Sequence, residues 1–131
     1  MLPFTLDTLR LSLHVVATCV WIGGQILVAA LVPVMRGISD DAPRQMAQRF
    51  GMVAWPAFGL AVLTGVWNLL ALPSGLSTAY HVTLGIKVLL VVVTGFAAFV
   101  HTRTSKASVR GATGGIGLLA SLAVLVLGVM L

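Results

Sequence analysis

The stretch His14–Met35, HVVATCVWIGGQILVAALVPVM, decides the fold. It holds no charged residue, and the apolar run in which it lies reaches back to Leu11. Coiled as an α-helix at about 1.5 Å per residue, such a run spans the roughly 30 Å hydrocarbon core of a bilayer. Three further runs have similar length and character: Gly51–Leu72, Val82–Val100 with Lys87 inside it, and Gly111–Leu131. Composition agrees, because 59% of the 131 residues are hydrophobic and 8% are charged, against about 25% charged in an ordinary soluble domain. The expectation is one all-α membrane domain over residues 1–131. It is a four-transmembrane-helix bundle with helices at approximately 6–35, 50–72, 81–101 and 111–131.

The start of the chain, MLPFTLDTLR, is unlike a secretory signal peptide. Asp7 and Arg10 occur together there, and the apolar run that follows is about twice the usual signal core of roughly 7–15 residues. Thr5, after Pro3 and with Asp7 in the first turn, suits a helix start. Cys19 is the only cysteine, which rules out an internal disulfide and a multi-cysteine metal site.

The net charge of +5 could suggest nucleic acid, but the positions of the charges argue for topology instead. Arg36, Arg44 and Arg49 follow the first run, and Arg103, Lys106 and Arg110 follow the third. Arg10 alone lies on the other side, and the 73–81 loop, PSGLSTAYH, has no Lys or Arg. Short basic loops stay in the cytoplasm, so both termini are expected outside and the protein in a bacterial inner (plasma) membrane. Basic loops also attract anionic lipid headgroups, which makes the bilayer their partner and excludes nucleic acid.

Within this frame the polar residues acquire depths. Helical positions three, four and seven apart share a face, so His14, Thr18, Trp21 and Gln25 form one stripe, with Asp7 and Arg10 above it. Cys19 falls well round the helix from that stripe. The second helix presents Ala57, Ala61, Thr64 and Asn68 on one side, a lining suited to close helix contact, with Asn68 as an interhelical hydrogen-bonding group. Pro56 should kink this helix and free a carbonyl. Thr83, Lys87, Thr94, Ala98 and His101 share an interior face of the third helix. His81 opens that helix from the outer loop, Lys87 either snorkels or binds an anionic group, and His101 closes the far end. Gly114, Ser121 and Gly128 recur at seven-residue intervals on the fourth, which reads as a packing helix. His14 and His81 lie toward the outer side and His101 toward the inner, so the three histidines do not form one metal site. Met35, Met46 and Met52 lie near the inner face, where methionine is also ordinary apolar filler.

The histidine, tryptophan and glycine pair of HVVATCVWIGG (14–24) resemble the opening helix of the CopD family of copper-resistance membrane proteins. RFGMVAWPAFGLAVLTGVWNLL (49–70) looks like that family's next helix, and YHVTLGIKVLLVVV (80–93) like the one after. The resemblance implies a minimal, four-helix CopD-like protein in copper transport or homeostasis. Copper would then sit on His14 and His81, and a periplasmic copper-binding protein and a second copy of the chain would be its partners. The same features also resemble the HemJ family of haem-linked membrane protoporphyrinogen oxidases, which implies a b-type haem held by His14, His81 and Lys87. Copper and haem b both stay open as the cofactor, with Trp21, Gln25, Asn68 and His101 in support. No soluble-enzyme motif appears, so catalysis is expected only if the chain is a haem-dependent membrane oxidoreductase. A third reading, a small accessory subunit of a membrane complex, rests on the glycine-serine face of the fourth helix.

Overall fold

A computed structural model describes residues 3–131. Four α-helices account for nearly all of them: α1 Leu6–Ile38, α2 Ala42–Leu70, α3 Thr78–Arg103 and α4 Ala107–Met130. Each is long and apolar enough to cross a membrane. The chain is an all-helical, multi-pass membrane protein, with no strand among the described residues.

Local chemistry explains where the helices begin. Thr5 caps α1: its hydroxyl accepts the Thr8 amide at 3.2 Å, while the Thr8 hydroxyl receives the Thr5 amide at 3.4 Å. This reciprocal arrangement satisfies two amides that a helix start leaves without intrahelical partners. Ser77 caps α3 by accepting the Tyr80 amide at 3.2 Å. Pro43 stands in the first turn of α2, where its missing N–H costs nothing.

Three boundaries differ from the apolar runs by several residues, for one reason. α2 begins at Ala42 rather than near 50, α3 at Thr78 rather than 81, and α4 at Ala107 rather than 111. Hydropathy finds the part of a helix that sits in lipid, whereas Ala, Arg, Gln and Met in APRQMAQRF (42–50) continue the coil into the polar zone because they are good helix formers. α1 likewise runs on to Ile38. His81 consequently lies inside the first turns of α3 instead of opening it. Pro56 lies within α2, which continues as helix to Leu70; having no N–H, it leaves the Met52 carbonyl without its usual helical donor.

The chain forms two compact units, one ending at Leu72 and one from Pro73 to Leu131. Each is a helical hairpin, α1 with α2 and α3 with α4. Burial is inverted relative to a soluble domain. The buried residues are mostly small, such as Ala17, Ala54, Ala97, Gly117, Ala120 and Ser121. Large side chains such as Leu63, Phe96, Leu119 and Val129 are exposed. Lipid accepts those large apolar groups, and small residues let helix backbones approach. At Gly24 the approach is close enough that a Cβ would overlap the edge of the Phe50 ring.

The second hairpin shows the contact most clearly. Lys87, Thr94 and His101 step along α3 by seven residues and meet Gly128, Ser121 and Gly114, which step back along α4 by seven. At the centre the Thr94 and Ser121 hydroxyls are 2.6 Å apart, and Thr94 Oγ1 also lies 3.0 Å from the Gly117 carbonyl. The heptad of small residues on α4 is thus the receiving side of a polar stripe on α3, and that interior face of α3 is as the sequence predicts.

Candidate functional site

The first hairpin holds the best-defined polar site. His14, two turns into α1 and half-buried, places Nδ1 2.9 Å from Thr64 Oγ1 on α2. The direction of this bond depends on the tautomer of the ring. Thr64 has one hydroxyl hydrogen, and its oxygen lies 2.7 Å from the Leu60 carbonyl and 3.2 Å from the Ala61 carbonyl, both of which can only accept. With the hydroxyl hydrogen directed to these carbonyls, Thr64 Oγ1 accepts and His14 Nδ1–H donates, which is the Nδ1–H tautomer of the ring. In the neutral imidazole the lone pair is then on Nε2. A hydrogen bond that fixes one ring nitrogen of a histidine and leaves the lone pair on the other is the arrangement by which proteins orient metal-ligating imidazoles.

Room for the ring comes from Gly65, where a Cβ would stand 3.4 Å from His14 Cε1. Two turns further along α1, Trp21 is buried against α2, with ring centroids 4.4 Å from Phe58 and 5.7 Å from Trp55. His14 opposite Gly65 and Trp21 opposite Phe58 again differ by seven residues on each helix. Gln25 is half-buried on the same face, and Cys19 is exposed and off it. Asn68 is half-buried near the end of α2.

Arg10, one turn before His14, is turned inward. Its side chain is 12% exposed, and among the described residues its ion pair is with Asp7, itself 75% exposed, at 3.2 Å. Among the described residues, three buried side-chain polar atoms in this hairpin lack a hydrogen-bond partner: Arg10 Nε, Trp21 Nε1 and Asn68 Oδ1. All lie on α1 or on the end of α2 that meets its start.

Site residues of the second hairpin have more local roles. His81 is exposed and donates Nδ1–H to the Ser77 carbonyl of its own helix start at 2.9 Å. His101 donates Nδ1–H to the Arg110 carbonyl at 2.8 Å, and Arg110 in turn donates to the Thr104 carbonyl at 2.8 Å, which ties the end of α3 to the start of α4. Lys87 is half-buried, and a Cβ on Gly128 would stand 3.2 Å from its Nζ. Among the described residues no group of three or more His, Cys, Asp and Glu side chains is placed to hold a metal ion. Near the other end of the first hairpin, Met35, Met46 and Met52 line one cavity of about 600 Å³ together with Gln45 and Arg49.

Two members of the His14 site escape a reading of the sequence. Thr64 belongs to the predicted small-residue face of α2, but its pairing with His14 depends on the register between helices. Arg10 reads as a boundary charge, and its burial is a tertiary fact. Comparison of the chain with family models, with curated proteins and with solved structures gives no match.

Proposed function

We propose that the chain is a membrane redox protein that holds a b-type haem through His14. The observation that carries this reading is the 2.9 Å contact between His14 Nδ1 and Thr64 Oγ1, which orients the ring; in the Nδ1–H tautomer the lone pair is on Nε2. Ligand count then discriminates between the cofactors. Among the described residues no group of three or more His, Cys, Asp and Glu side chains gathers at His14, a poor set for a bare copper ion. A haem brings four equatorial nitrogens of its own and needs one or two axial side chains. The residues present fit that group in a second respect: the inward-turned Arg10, one turn from the histidine, has a buried Nε–H without a hydrogen-bond partner. Bound there, haem would supply one-electron chemistry, while the chain supplies the axial nitrogen, its orientation and an apolar wall.

Copper handling is the second reading, and one observation favours it: three thioethers, Met35, Met46 and Met52, line one cavity. Thioether sulfur suits Cu(I). The same purified protein tests both. A Soret band that disappears in His14→Ala, with the variant still inserted, is the expected result. Stoichiometric copper without a Soret band, unaffected by His14→Ala and lost when the three methionines become leucine, would replace haem with copper.

A further inference from the structure

We propose that Arg10 is the recognition residue for an anionic oxygen group, a carboxylate or phosphate, bound beside the start of α1. With the haem reading above, on which this form of the proposal rests, the group is a propionate of the ligand held by His14. Four features of the first hairpin lead there. Arg10 could extend its long stem toward water, as arginines near the end of a membrane helix do, yet its side chain is only 12% exposed. Its Nε–H is buried without an acceptor. The guanidinium has five N–H donors, and a fork of this shape matches the two oxygens of a carboxylate or phosphate. Among the described residues its anionic contact is a single 3.2 Å approach to Asp7, which is 75% exposed and can return to water.

Placement relative to His14 supports the same assignment. Arg10 and His14 are four residues apart on one face of α1, about 6 Å along the axis. The register that sets His14 against Gly65 carries Arg10 toward the end of α2, where Asn68 has its own unpartnered Oδ1. Turning that amide over would present its two N–H donors to the same group. An aromatic wall, an imidazole and a guanidinium thus succeed one another along a single helix face. They can take a ligand that is apolar at one end and anionic at the other.

The test uses the full-length protein in nanodiscs of zwitterionic lipid, titrated with haemin and with its dimethyl ester, in which both carboxylates are masked. Haemin should bind about tenfold or more tightly than the ester, in line with a charge-assisted hydrogen bond. Arg10→Gln should remove that preference by weakening haemin alone, Arg10→Lys should restore part of it, and Asp7→Asn should strengthen haemin binding. If Arg10→Gln leaves haemin affinity unchanged, or weakens acid and ester equally, the proposal is overturned while haem binding stands. If phosphatidylglycerol in the disc displaces haemin from the parent but not from Arg10→Gln, the same site takes a lipid phosphate too. Should the parent bind neither porphyrin, the haem reading fails and Arg10 is read from phosphatidylglycerol retention by native mass spectrometry. Lower retention in Arg10→Gln would then support the anion site with phosphate as its group, and equal retention would overturn it.

Discussion

Thr64→Val isolates the hydrogen bond on which the His14 site rests. Valine keeps the branched shape of threonine, so packing in the narrow contact with α1 is preserved. The substitution removes the acceptor 2.9 Å from His14 Nδ1 and leaves the Leu60 carbonyl its helical amide donor. Interhelical hydrogen bonds in membranes are worth about 0.6 kcal/mol on average and up to about 1.7. Helix association should therefore weaken by about 1 kcal/mol, too little to unfold the protein. Ligand binding is expected to suffer more, because loss of the group that orients a ligating histidine typically costs about 10–100-fold in affinity. The assay is a Soret-monitored haemin titration of the parent, Thr64→Val and Thr64→Ser, with detergent unfolding followed in parallel. Thr64→Ser retains the hydroxyl and should stay within a few-fold of the parent. In a His14→Ala background, Thr64→Val should have little further effect, since both changes remove the same bond. Parent-like affinity in Thr64→Val, or equal losses in the serine and valine variants, would refute the orienting role.

In the second hairpin, Ser121→Ala should destabilise the protein by about 0.6–1.7 kcal/mol in detergent unfolding. Adding Thr94→Val should cost less than the sum of the single changes, because the two hydroxyls share one contact. For topology, cysteines at Ser77 and Ser105, introduced after removal of Cys19, should label from opposite faces of intact spheroplasts. Labelling of both from the same face would contradict four spans.

Much of the fold was legible because lipid imposes a blunt requirement. A helix that crosses it needs about 20 apolar residues, and the four runs meet that requirement without help from tertiary structure. The helix ends were less legible, since the segment 42–50 is polar, outside any hydropathy signal, and still helical. The site was visible along each helix and invisible across them. Periodicity places His14 and Trp21 on one stripe and Thr64 on a small-residue face. Which α2 residue meets His14 depends on an axial offset between two helices, and a change of one turn would bring a different side chain opposite. Hydropathy also misses the burial of Arg10, because a basic residue beside an apolar run has the same sequence signature whether it reaches for water or turns inward.

The two hairpins solve the same physical problem to different degrees. A polar side chain in lipid needs space between the helices and a partner within reach. His14 lies eight residues beyond the first residue of α1, and Lys87 nine beyond the first of α3. Each faces a glycine in the last two turns of the following helix, Gly65 or Gly128, so each has its space. The residue before the glycine makes the difference. Thr64 precedes Gly65 and offers His14 a hydroxyl, whereas Leu127 precedes Gly128 and offers Lys87 nothing polar. The histidine is therefore held in one orientation. The lysine is only given room, and its flexible stem leaves the ammonium to find its own counter-charge. A rigid nitrogen in one hairpin and an adaptable cation in the other are different devices, and the fixed nitrogen is the one on which the proposed haem site rests.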